Sequence, residues 1–112
     1  MKLALAFRPE PYEVTLTDSD AILYALSIGL SRDPMNTSHF RYTYENHQDF
    51  SPFPLNVINV CHRGQFGEGN YEVQGVPSFN PMKLLFGEED VTFLKPLKQN
   101  TKYVVNERME DF

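Results

Sequence analysis

Between Tyr12 and Leu16 the chain alternates. Tyr12, Val14 and Leu16 are apolar, while Glu13, Thr15 and Thr17 are polar, which is the two-residue period of a half-buried strand. Pro9 and Pro11 keep the approach to it extended. The period then changes. Ala21, Ile22, Ala25, Leu26 and Ile28 fall on one broad face of a helix predicted over Asp18–Leu30. Thr17 is suited to cap that helix. Asp20, three residues on, is its capping-box partner, and Asp18 places a negative charge in the first turn. Gly29 and Ser31 weaken the far end, and Asp33-Pro34 stops it.

Further along, His39–Tyr44 alternates Phe40, Tyr42 and Tyr44 with other side chains and predicts a short strand. His47–Pro54 carries two prolines and reads as a loop. Leu55–Cys61 fits a strand or a short helix; its β-branched content favours the strand. Gly64–Gly75 holds four of the six glycines and predicts a long irregular loop. Val76–Pro81 is expected to be extended. Leu84–Leu94 predicts another strand, with Gly87 as a bulge or point of close approach, and Lys95-Pro96 closes it. Asn100 precedes a final strand, Thr101–Arg108, packed through Tyr103, Val104 and Val105. One main helix with four or five strands predicts an α+β fold with a mainly antiparallel sheet.

Composition narrows the picture. With 112 residues the chain is read as a single domain, 1–112, and 41% apolar residues, including 9 Phe and 6 Tyr, supply a core. A net charge of −5 with no basic run argues against nucleic acid and against tight binding to anionic membranes. No apolar stretch approaches the roughly 20 residues of a membrane span. Met1–Phe7 resembles a short secretory segment. Arg8 and Pro9 end it without a small-residue cleavage site, so it is read as a mature N-terminal strand or docking arm. Cys61 is the sole cysteine, which excludes an internal disulfide and predicts a reduced compartment.

Candidate chemistry is sparse. His39, His47 and His62 stand at no metal-ligand spacing, and no cofactor is expected. Cys61 follows an apolar run, as a packed small hydrophobe does, and nothing in the sequence around it predicts a reactive thiolate. The GQFGEG run lacks the preceding strand and following helix of a nucleotide fingerprint. Glu88, Glu89 and Asp90 interrupt an apolar segment and read either as a pocket-edge hydrogen-bonding group or as a solvated strand end. Glu45 is expected to form a structural ion pair with Arg41 or a distant lysine.

Several pieces in order carry a resemblance. They are Ile22–Gly29 (ILYALSIG), Asp33-Pro34, Phe40–Glu45 (FRYTYE), Asp49-Phe50, the apolar stretch Pro54–Val60, Gly75–Phe79 (GVPSF), Leu84–Glu89 (LLFGEE) and Lys95–Leu97 (KPL). Together, from about Tyr12 to Arg108, they resemble the N-terminal half of the MaoC-like enoyl-CoA hydratase 2 family, found in peroxisomal multifunctional enzymes of fatty-acid β-oxidation. The resemblance implies a hot dog fold, a curved antiparallel sheet around helical material. It also implies that this half lines the tunnel for the acyl part of a CoA ester, with Phe86, Gly87 and Glu88 as candidate substrate contacts.

The family's catalytic Asp and His belong to a GDxNPLH-like motif in the other half, and no such motif occurs here. Catalytic residues are therefore expected from another domain or chain. The family's LLHGEQ has Phe86 and Glu89 at its His and Gln positions, so their hydrogen bonding is altered. Of the three strands that follow the KPLP turn in the family, only the first, Thr101–Arg108, is recognisable. The sheet is thus expected to be an incomplete hot dog with an exposed edge, completed by a homo-oligomer or by a chain carrying the catalytic half. Acyl-CoA is the expected ligand. The resemblance implies an intracellular location, peroxisomal or mitochondrial, although no targeting signal is visible. The alternative is a remnant repurposed as a structural subunit of a larger assembly.

Overall fold

A computed structural model describes residues 2–63 and 73–110. Its centre is a two-stranded antiparallel ribbon, β1 (Tyr12–Leu16) paired with β2 (Thr101–Val105). The register sets Tyr12 opposite Val105, Val14 opposite Tyr103 and Leu16 opposite Thr101. Because strand side chains alternate, these residues share one face. That face is the core. Val14 and Leu16 are buried with Val60, and Tyr12, Leu97, Tyr103 and Val105 pack around them. The other face carries Glu13, Thr15, Lys102 and Val104, and Val104 does not pack as expected but stands 59% exposed, because the register turns it away from Tyr103 and Val105. Lys102 Nζ reaches Glu13 Oε2 diagonally across the ribbon at 2.9 Å, and with both side chains exposed the pair adds little stability.

The helix α2 (Asp18–Ser27) is built as its ends predict. The Asp20 N–H donates to Thr17 Oγ1 at 3.1 Å, and the Thr17 N–H donates back to Asp20 Oδ2 at 3.0 Å, a complete capping box. At the far end Gly29 takes a left-handed φ of +92°. Its N–H donates to the Leu26 carbonyl and that of Leu30 to the Ala25 carbonyl, each at 3.0 Å, a Schellman motif that stops the helix before Leu30. Ala21 and Ala25, one turn apart, are fully buried, whereas Leu23, Leu26 and Ile28 are exposed. The packed face is therefore narrower than the predicted one and made of small residues, which allow a close approach of backbones.

Asp20 also joins α2 to the segment after α4 (Val57–Cys61) through Arg63 Nη2, 3.0 Å from its Oδ1. Burial raises the carboxyl pKa. Hydrogen bonds from the Thr17 backbone, the Arg63 guanidinium and the Thr17 hydroxyl outweigh that and hold it below its ordinary value of 3.8. A depressed folded pKa means stability that is present above 3.8 and is lost as pH falls through the lower folded value. Asp20→Asn is therefore expected to lower stability by about 1 kcal/mol at pH 7. The difference should shrink as the wild-type carboxyl is itself neutralised in acid. Urea titrations of both proteins from pH 7 down to pH 2 check this, and a gap that persists undiminished in acid would assign the loss to shape rather than charge.

Several elements differ from expectation. Lys2–Ala6 is a short helix, α1, not a strand or arm, because Lys-Leu-Ala-Leu-Ala is rich in strong helix formers. Arg8 Nη1 satisfies the Leu5 carbonyl at its end, at 2.7 Å. The stretch predicted as a strand at His39–Tyr44 is a 3₁₀ turn, Thr37–His39, leading into a one-turn helix, α3 (Phe40–Thr43). Side-chain bonds to Ser31 win there. The Ser31 N–H donates to His39 Nδ1 at 3.0 Å, Thr43 Oγ1 donates to the His39 carbonyl, and the Ser31 and Thr43 hydroxyls lie 2.6 Å apart. Leu55–Cys61 is helical despite its β-branched residues. Pro54 opens a 3₁₀ turn, Pro54–Asn56, that runs on into α4 and turns Val60 onto the ribbon.

The segment 84–94 joins no sheet among the described residues, and every residue from Pro81 to Asp90 is exposed. Gly87 is neither a bulge nor a close approach, since a Cβ there would meet nothing within 4 Å. Among the described residues two strands are thus observed in place of the four or five expected. Most of the predicted loop Gly64–Gly75 lies outside the described residues. The architecture is α+β, a partial hot dog with a small antiparallel sheet and one main helix. The molecule measures 53 × 27 × 21 Å, with a radius of gyration of 17.1 Å against about 13 Å for a compact chain of this length. Its surface is 8600 Å², where a compact monomer of this mass exposes about 6,300 Å².

Candidate functional site

A cavity of about 480 Å³ lies between two segments distant in sequence. One wall is Arg41 and Tyr42 of α3 with Ser51, Pro52 and Pro54 of the following loop. The other is Phe93, Leu94, Lys95, Pro96 and Leu97. The first wall is held from behind by aromatic packing. Phe53 stands between Tyr24 of α2, at 6.4 Å between ring centroids, and Tyr42, edge-on at 5.3 Å. The Ser51 N–H donates to the Arg41 carbonyl at 2.9 Å, tying the loop to α3. The second wall is anchored by Leu97, which packs on the ribbon core, and by Tyr103, whose hydroxyl accepts from the Lys98 N–H at 2.8 Å and donates to the Lys98 carbonyl at 3.0 Å. Gln99 Nε2 crosses to the Phe50 carbonyl and links the two walls.

The lining is mainly apolar and aromatic, with two cations, Arg41 and Lys95, and no carboxylate or imidazole among the described residues. The Arg41 guanidinium carbon sits 5.1 Å from the centroid of the Tyr42 ring, a cation–π contact. Such a surface can bury an aliphatic chain and meet an anion.

Phe86, Gly87 and Glu88, the substrate contacts implied by the resemblance, lie on the exposed stretch that leads towards the cavity wall, and Phe86 is 74% exposed. The cavity draws on the same segment from Phe93 onward. Glu45 is exposed, and no basic group lies within ion-pair distance of it among the described residues. Reading along the chain does not bring FRYTYE and KPL together into one cavity. The proline pair Pro52 and Pro54 beside an aromatic run is the signal that marks the first wall.

A second group of chemically active side chains sits at the end of α4. His62 Nε2 is 3.7 Å from Glu89 Oε1, and Cys61 lies beside them. Burial raises the Cys61 thiol pKa, and the charges of Glu89 and Glu107 raise it further, which works against a nucleophilic thiolate. The Tyr12 hydroxyl donates to the Cys61 carbonyl at 2.5 Å and fixes this corner to β1. His39 and His47 each use Nδ1 to accept a backbone N–H, from Ser31 and Asp49 respectively, and so serve local structure. Among the described residues no three His, Cys, Asp or Glu side chains converge as a metal site would require, and no helix is long and apolar enough to cross a membrane.

The fold and the cavity define a small α+β partial hot dog domain with an apolar cavity that carries two cations. The family model for the MFE-2 hydratase 2 N-terminal domain matches residues 14–111. The chain belongs to that family. It is 31% identical over 97 residues to the peroxisomal multifunctional enzyme type 2 of Mus musculus, a match covering 87% of this chain and 13% of that protein. It is 28% identical over 114 residues to the probable enoyl-CoA hydratase 2 of Dictyostelium discoideum, covering 97% of this chain and 35% of that protein. The chain therefore spans about a third or less of the length of these relatives.

Proposed function

We propose that this chain is the non-catalytic N-terminal half of a 2-enoyl-CoA hydratase 2, in fatty-acid metabolism, that contributes acyl-chain contacts to a site completed elsewhere. The acid and base of hydration come from another domain or chain, and the peroxisome is the compartment that the mouse relative's name supports. The observation that carries this reading is the cavity between Tyr42 and Phe93: its walls match an aliphatic chain, and its described lining holds no carboxylate or imidazole. The match across residues 14–111 supports the same assignment.

The test is calorimetric titration of the chain with trans-2-hexadecenoyl-CoA, alongside a hydration assay at the enoyl absorbance. Micromolar saturation without turnover is the expected result. Absence of binding would remove the acyl-contact role, and turnover by the chain alone would remove the division of labour.

A further inference from the structure

We propose that the cavity takes an anionic amphiphile, with the charged head held by Arg41 and Lys95 and the chain lying on Pro52, Phe93 and Leu94. The proposal rests on the acyl-binding reading above and adds a head group to it. It starts from a contrast of charge. The chain has 15 acidic and 10 basic residues, yet the described lining of its cavity has two cations and no carboxylate. Arg63, Lys102 and Arg108 are each paired with a carboxylate, Asp20, Glu13 and Glu110 respectively. Arg41 and Lys95, like Lys2, Arg8, Arg32, Lys83 and Lys98, have no carboxylate within ion-pair distance among the described residues, so what sets these two apart is their shared place in the lining.

The geometry favours an oxyanion. The Arg41 guanidinium carbon sits over the Tyr42 ring, 5.1 Å from its centroid, and the group carries planar N–H donors. Planar donors of this kind bind a carboxylate or phosphate through two parallel hydrogen bonds. Lys95 precedes Pro96, which holds its backbone extended, and it comes from the opposite wall. The two charges therefore come from separate segments, and the apolar part of the lining accepts a hydrocarbon chain. A terminal carboxylate and a phosphate ester share this chemistry.

Displacement of a fluorescent fatty acid from the chain separates the cases, using dodecanoate, dodecyl phosphate and dodecan-1-ol below their aggregation limits. The expected result is that one or both anions bind about ten-fold more tightly than the alcohol, an advantage that shrinks with added salt. Which anion is preferred names the head group. R41M and K95M should each lose most of the advantage of the anions over the alcohol. R41K retains the charge and should keep part of it, and circular dichroism verifies that each variant is folded. Equal binding of alcohol and anions by the wild type would overturn the head-group assignment and leave the acyl-binding reading standing. Failure of all three probes to bind would overturn both.

Discussion

Leu16→Ala is expected to lower stability by about 3 kcal/mol and to leave much of the chain unfolded at 37 °C. Leu16 is 1% exposed, at the end of β1 where the ribbon face meets Val14 and Val60. Truncating it leaves a cavity that the short elements around it cannot fill, since the buried apolar residues described number only six. A core this small has little to spare. Urea denaturation followed by far-ultraviolet circular dichroism measures the effect. Leu85→Ala is the control: Leu85 is 91% exposed, and its loss should change stability by less than about 0.5 kcal/mol. Equal shifts for the two would mean that the ribbon face is not the core.

The second large effect is expected on mixing. Leu85 and Phe86 stand 91% and 74% exposed along one segment. On the proposed reading, this surface is covered by a chain or domain carrying the catalytic half. Adding such a chain, bearing a GDxNPLH-like motif, at 100 times its dissociation constant should stabilise the protein by about 2.7 kcal/mol. It should also give a 1:1 complex by native mass spectrometry and restore hydration of the enoyl-CoA. A homodimer that excludes the added chain would instead favour self-completion. A monomer whose melting is unmoved by the added chain would count against both.

The structural alternative, a repurposed subunit with no ligand, makes opposite predictions at the cavity. It leaves the apolar walls and the two cations without a role, which is why the binding reading is preferred.

What could be read from the residues was local. The alternation of Tyr12, Val14 and Leu16 determined β1, because a two-residue period exposes one face whatever its partner. Thr17 and Asp20 determined the start of α2, since both halves of a capping box lie within one turn. The ordered motifs from Ile22 to Leu97 were enough to mark the family. Only tertiary structure decided the rest. Leu84–Leu94 has the composition of a strand, but a strand exists only where a neighbour supplies hydrogen bonds, and β1 is paired with β2 instead. Phe40–Thr43 and Val57–Cys61 became helical through contacts made elsewhere, with Ser31 and Phe53 in the first case and with the ribbon in the second. The cavity joins residues about fifty positions apart, and no local period records that distance.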